Sequence, residues 1–275
     1  MAAKILITGG GGFLGQALLR KIRHRDNVLV RLERTMRSDA SSNVYTSVDD
    51  VFKSHPAFDL IYHLAAYIPE NSVDVSLLDS VNIGLTKRLT ELYPNARFVF
   101  ASSVSVYGVP EILPISVNSR FINPGAYGRS KIDAENCIRQ TESYAIIRFS
   151  SIVGVGMTRI TFVNRVIADA KSGSIIIWGD GGRKQNYIDV QDAAQMLIAA
   201  ALSPDNIIIN GVAPKSWSNI EIARLVSRLT NSPVEFKGQD DSPSFEYEIG
   251  DSYKNINFTP TMGLEQTIQE MLTHG

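Results

Sequence analysis

Tyrosine and lysine stand four residues apart in Tyr127-Gly128-Arg129-Ser130-Lys131, within a segment of helical patterning. Residues at that spacing share a helix face, so a phenol and an ammonium can point into one site. Such a pair suits the removal of an alcohol proton while hydride leaves for a nicotinamide ring. A free tyrosine titrates at about 10 and is mostly protonated at neutral pH. A cation about 4 Å away, at an effective dielectric near 20, supplies roughly 4 kcal/mol, or about three pKa units. Lys131, helped by the positive ring, is therefore expected to bring Tyr127 close to neutral titration. Taken alone, YxxxK occurs by chance often enough that an ordinary surface helix is the better reading; its surroundings decide.

A second group precedes it. Thr8-Gly9-Gly10-Gly11-Gly12-Phe13-Leu14-Gly15 follows a strand-like run and opens a helix-like one, with Gly9, Gly12 and Gly15 at GxxGxxG spacing. Glycines there allow a tight turn and let the backbone approach a pyrophosphate, which the free N–H groups of the helix start then attract. Glu33 closes the second strand 18 residues after Gly15, where an acid accepts adenosine ribose hydroxyls. A carboxylate repels a 2′-phosphate, which favours NAD. Arg34 and Arg37 follow at once and could pair with that phosphate, so NADP stays open.

Parallel strands must hold these groups. Lys4–Thr8, Val28–Leu32, Asp59–Leu64, Arg97–Ala101 and Tyr144–Phe149 read as buried strands. They alternate with helical Phe13–Arg25, Ser72–Tyr93 and Gly125–Gln140. That alternation predicts an α/β fold, a Rossmann-type doubly wound parallel sheet with helices on both faces. Residues 1–150 are expected to form the dinucleotide-binding domain. Residues 151–275, with looser patterning, are expected to form a small C-terminal substrate lobe, partly woven back into the main sheet. Its helical candidates are Ile160–Lys171, Gln191–Leu202, Ser218–Thr230 and Leu264–Thr273.

Composition narrows the class. A formal net charge of −1 gives no footing for nucleic-acid binding. The lone cysteine, Cys137, precludes an intrachain disulfide, and the four histidines lack metal-ligand spacing, so no metal is expected. The amino terminus lacks the pattern of a signal peptide, and no run reaches the roughly 18 apolar residues of a membrane span. A soluble, cytoplasmic protein is the expectation.

Further segments complete a pattern. Phe58-Asp59-Leu60-Ile61-Tyr62-His63-Leu64-Ala65-Ala66, Val81-Asn82-Ile83-Gly84-Leu85-Thr86 and Phe98-Val99-Phe100-Ala101-Ser102-Ser103-Val104-Ser105-Val106-Tyr107-Gly108 join the glycine loop and YxxxK. Together they resemble the extended short-chain dehydrogenase/reductase family, in its NAD-dependent sugar-nucleotide epimerase/dehydratase branch, nearly end to end. The resemblance implies that Ser103 hydrogen-bonds the reacting oxygen, that Tyr127 is the acid/base, and that Lys131 holds the nicotinamide ribose and tunes the tyrosine. Ala65, Ala66 and Ser150 join the implied cofactor site. His63 is expected to be structural, and Tyr62 and Tyr107 to belong to the core.

Two departures bear on the reaction. Val104-Ser105 follows Ser103 where dehydratases of the family carry Asp-Glu, and valine transfers no proton. Simple hydride transfer remains, as in a 4-epimerase or 4-keto reductase. Gln185 stands where an arginine usually grips the substrate diphosphate, and Ser151 where asparagine is common; Arg183 is a possible substitute. The substrate residues are thus expected to be Ser103, Ser151, Arg183 and Gln185. The substrate is expected to be a nucleotide sugar, with a carbonyl reductase of a non-nucleotide substrate, or a non-catalytic dinucleotide-binding module, as alternatives. By analogy a homodimer is expected, through the helices near 72–93 and 125–140.

Overall fold

The computed structural model describes residues 3–22, 28–35, 43–70 and 72–274. Strand β1 (Lys4–Thr8) passes through the glycine turn into α1 (Phe13–Ile22), followed by β2 (Val28–Leu32), β3 (Val44–Tyr45), α2 (Val48–Ser54) and β4 (Leu60–His63). A helix in three joined pieces comes next: α3 (Val75–Leu77), a π-helical stretch (Leu78–Gly84) and α4 (Leu85–Leu92). Then come β5 (Arg97–Ser103), a single 3₁₀ turn (Val104–Tyr107), α5 (Ala126–Ile138), β6 (Ser143–Phe149) and β7 (Ser151–Val153). The remainder is α6 (Phe162–Lys171), β8 (Ile175–Trp178), β9 (Lys184–Asp189), α7 (Val190–Leu202), β10 (Ile207–Gly211), β11 (Ser216–Ser218), α8 (Asn219–Thr230), β12 (Val234–Lys237), α9 (Ser252–Asn255) and α10 (Leu264–His274).

Seven strands form one parallel sheet in the order β10-β6-β5-β4-β1-β2-β3. Chain order reverses between β1 and β4, the arrangement of a Rossmann-type doubly wound fold and the place where its ligands bind. Both faces are covered, which explains the unbroken apolar runs. Ile5, Ile7, Val99 and Ile147 pack with Leu18, Ala193 and Leu197 of α1 and α7 on one face. Leu6, Ile61, Phe98, Phe100 and Ile146 pack with Leu89, Ala134 and Ile138 of α4 and α5 on the other. Each such side chain contributes about 1.5–3 kcal/mol by leaving water.

Smaller sheets, β11-β9-β7 and β12-β8, gather with α6, α8 and α10 around a separate core that includes Val163, Ile175, Tyr187 and Ile222. β10 nonetheless pairs with β6, so a segment from late in the chain extends the first sheet. Among the described residues no helix is long and apolar enough to cross a membrane.

Two expectations change. The segment 72–93 is not one regular α-helix. It starts at Val75, where the Asp74 carboxylate accepts the Leu77 N–H, and it is π-helical through Gly84. The wider turn suits Asn82, which is 2% exposed and bonds Tyr67 N, Tyr67 O and Ser130 Oγ. Those side-chain bonds outweigh the regular ladder there. The first helix ends its described run at Ile22, and the predicted extension through Arg25 lies outside the described residues.

Candidate active site

A cleft of about 700 Å³ opens where β1, β4 and β5 end, lined on one side by Gly9, Gly12, Phe13, Leu14 and Gly15. Gly9 has φ +71°, and a Cβ there would stand 2.8 Å from Ala65 N; one on Gly15 would run into Gly9 O. Both obstacles are backbone and cannot swing aside. Bare glycine therefore lets the loop lie against the turn after β4 and lets α1 start close beneath it. Thr8 Oγ1 ties that turn down by accepting the N–H groups of Leu64 and Ala65, and Ala66 faces the cleft.

Glu33, 8% exposed, sits beside the loop, its Oε1 3.5 Å from where a Gly10 Cβ would be. That oxygen lies 3.2 Å from Arg31 Nη1, yet it accepts no hydrogen bond among the described residues. That carboxylate, paired with Arg31 and beside the glycine loop, is of the type that accepts a ribose hydroxyl at the end of the second strand. The glycine cradle and this acceptor fit NAD. Arg34 is exposed, and Arg37 lies outside the described residues.

Ser103, at the end of β5, and Tyr127, in the first turn of α5, form the opposite wall, with the serine hydroxyl close enough to act on the phenol. Ser103 Oγ also donates to Ser105 Oγ at 3.0 Å and accepts the Ser105 N–H at 3.1 Å, which fixes its rotamer. Burial pushes the Tyr127 phenol up to about 12, while the Arg159 guanidinium and the Ser103 hydroxyl pull it back. Lys131 is 2% exposed, its Nζ donating to Ala101 O at 2.6 Å and lying 4.1 Å from the centre of the Phe100 ring. Burial draws that ammonium down to about 7, and Glu135 holds it up.

In this structure the Arg159 guanidinium bears on the phenol, and Lys131 Nζ turns to the β5 backbone at Ala101 O. A buried ammonium needs an acceptor, and Ala101 O with the Phe100 face supplies one. Arg159 comes from the loop before α6. Its Nη2 donates to Pro69 O at 2.9 Å, joining the two sides of the cleft. Sequence spacing gave no sign of it, because the contact is between segments 90 residues apart.

The remaining expected residues divide. Ser150 and Ser151 line both this cleft and an adjoining cavity of about 440 Å³, which Gln185 also lines. Gln185 Nε2 reaches Asn219 Oδ1 at 3.4 Å. Arg183 does not join them; its Nε donates to Pro243 O. No Lys, Arg, Asp or Glu appears among the described residues lining the smaller cavity. Phe245 and Tyr247, unforeseen, form part of its wall.

Outside the cleft, His63 is buried between Thr8 Oγ1 and Thr86 Oγ1, each 2.7 Å away, and stacks on Phe100. Burial, with the Lys131 charge, lowers it to about 3, so it is neutral and structural as expected. Tyr62 and Tyr107 are core residues.

The sequence matches the NAD dependent epimerase/dehydratase family model over residues 5–212. It is 28% identical to a putative UDP-glucose 4-epimerase of Methanocaldococcus jannaschii, over 96% of this chain and 93% of that protein. It is 27% identical to the UDP-glucose 4-epimerase of Streptomyces lividans, over 85% of this chain and 83% of that protein. Among solved structures, the Bacillus cereus UDP-glucuronic acid 4-epimerase in complex with NAD superposes with a TM-score of 0.83 at 20% identity, covering 98% of each chain.

Proposed function

Because this chain belongs to the NAD-dependent epimerase/dehydratase family, we propose that it exchanges hydride with NAD at a carbinol carbon of a nucleotide sugar, as a 4-epimerase or 4-keto reductase. The observation that carries this reading is the Tyr127 phenol, set beside Ser103 and facing the glycine loop across one cleft. When bound, NAD supplies the hydride acceptor. Gly9, Gly12 and Gly15 would admit its pyrophosphate, and Glu33 a ribose. Tyr127 takes the alcohol proton, and Ser103 orients the reacting oxygen. Lys131, one helical turn on, is the ribose partner. The 3₁₀ turn after Ser103 brings Val104 and Ser105 to the cleft, and among the described residues lining it none is Asp or Glu, which favours hydride transfer over elimination.

The homologous epimerases act on UDP-glucose, which makes UDP-sugars the first substrates to try. The test is to incubate the purified protein with UDP-, dTDP- and GDP-sugars and read epimer formation or NADH fluorescence. Turnover of one such sugar is expected. The uncharged lining of the smaller cavity favours a second reading, a carbonyl reductase whose substrate has no phosphate. Coenzyme consumption by small ketones, with every nucleotide sugar inert, would overturn the first reading in favour of this one. A cytoplasmic homodimer serving polysaccharide or deoxysugar synthesis accords with the proposal.

A further inference from the structure

Three successive turns of α5 meet three successive residues at the end of β5. Tyr127 stands beside Ser103, Lys131 Nζ donates to Ala101 O at 2.6 Å, and Ser102 Oγ donates to Glu135 Oε1 at 2.6 Å. Glu135 is 1% exposed. It also accepts a forked contact from Arg148, Nε to Oε1 at 3.0 Å and Nη2 to Oε2 at 2.8 Å. Arg148 is held in turn by the Tyr107 hydroxyl and Val117 O. Burying an ion pair gives little stability over an apolar pair of the same volume. Its position explains more: the carboxylate stands one turn beyond Lys131, on the face of α5 that carries Tyr127.

We propose that Glu135 is a positioning residue for the reaction: its buried carboxylate, bonded to Ser102 on β5 and forked by Arg148 on β6, holds α5 in register and sets an anion one turn from Lys131. The proposal rests on the reading of Tyr127 as the acid/base and Lys131 as the ribose partner. The groups facing Lys131 are few. Tyr127 and Glu135 share its helix, His63 on β4 is neutral, and Phe100 on β5 offers its ring. Arg148 on β6 and Arg139, 3.7 Å from Glu135, bear on the carboxylate. Burial drives the ammonium towards deprotonation and the Glu135 charge opposes it. Removing that charge must lower the midpoint at which Lys131 loses its proton.

The test reads Lys131 directly. Protein carrying ¹³C at lysine Cε, with the resonance assigned through Lys131→Met, is titrated as wild type, Glu135→Gln and Arg148→Gln. Glu135→Gln is expected to lower the Lys131 midpoint by about one unit. Arg148→Gln breaks the same network but keeps the carboxylate, so the midpoint stays level or rises. An unchanged midpoint in Glu135→Gln would refute the proposal, whatever happens to thermal stability. Should that variant not fold, a lowered midpoint in Arg148→Gln refutes it instead. In turnover of a nucleotide sugar, the alkaline limb of kcat is expected to lie at lower pH in Glu135→Gln than in wild type, with KM little altered. Inert nucleotide sugars would remove the proposed substrate, while the lysine titration still judges Glu135.

Discussion

At the scale of single residues, the proposed function turns on the phenol of Tyr127, and its removal is the sharpest intervention. Tyr127→Phe keeps the ring and its packing but loses the proton-bearing oxygen. Turnover is expected to fall by about a thousandfold, within the usual range for general acid–base groups, while NAD affinity measured by calorimetry stays within about twofold. Loss of both together would show that the residue is structural. His63 gives a pH prediction of a different kind. Its folded pKa is about 3, against 6.5 when unperturbed. The unfolded chain therefore takes up this proton first as pH falls, so stability declines from about pH 6.5 towards 3. In His63→Asn the melting temperature is expected to lose that part of its pH slope, measured by thermal unfolding across the window. What the sequence made legible at this scale was whatever chemistry recurs at fixed spacing: the glycines, Ser103, and the Tyr127–Lys131 step. Arg159 was illegible because its contact with the site joins two loops whose separation in sequence encodes nothing. The direction of Lys131 was illegible too, since the choice between phenol and backbone carbonyl depends on burial that only the packed sheet creates.

At the scale of elements, the strand ends do the positioning. β1, β4 and β5 deliver the glycine loop, the Ala65–Ala66 turn and Ser103 to one edge of the sheet. Their apolar runs showed where they would lie, and the principal helices followed from turn residues and periodicity. The three-piece helix before β5 did not, because Asn82 is a polar residue that buries itself only by widening a turn around its own hydrogen bonds. Gly15→Ala tests the opening of α1. The added methyl meets backbone, so loop and helix must separate. NAD affinity is expected to drop at least about tenfold, read by calorimetry, with far-ultraviolet circular dichroism unchanged. Unaltered affinity would mean that the loop does not hold the pyrophosphate.

At the scale of the whole molecule, the sequence indicated two unequal parts but not the bonds that join them. Asp192, in α7, is 2% exposed and accepts Thr261 N, Thr261 Oγ1 and Met262 N, anchoring the approach to α10. Asp192→Ala leaves those donors without an acceptor and is expected to destabilise the fold by about 3 kcal/mol, measured by urea unfolding. The Arg159–Pro69 bond ties the loop before α6 to the turn after β4. Replacing Arg159 with Met removes the cation opposing the rise in the phenol, so the acid limb of kcat/KM is expected to shift to higher pH. An unmoved limb would show that this charge does not reach the reacting oxygen.

That same guanidinium has a mechanical consequence. On the proposed reading, the phenol rides on the part of the fold that carries the glycine loop, whereas the guanidinium that opposes its rise arrives on a loop from the other part. The acidity of that one oxygen would then depend on both parts of the fold, so a change in the Arg159 loop would be felt as a change in the pH profile.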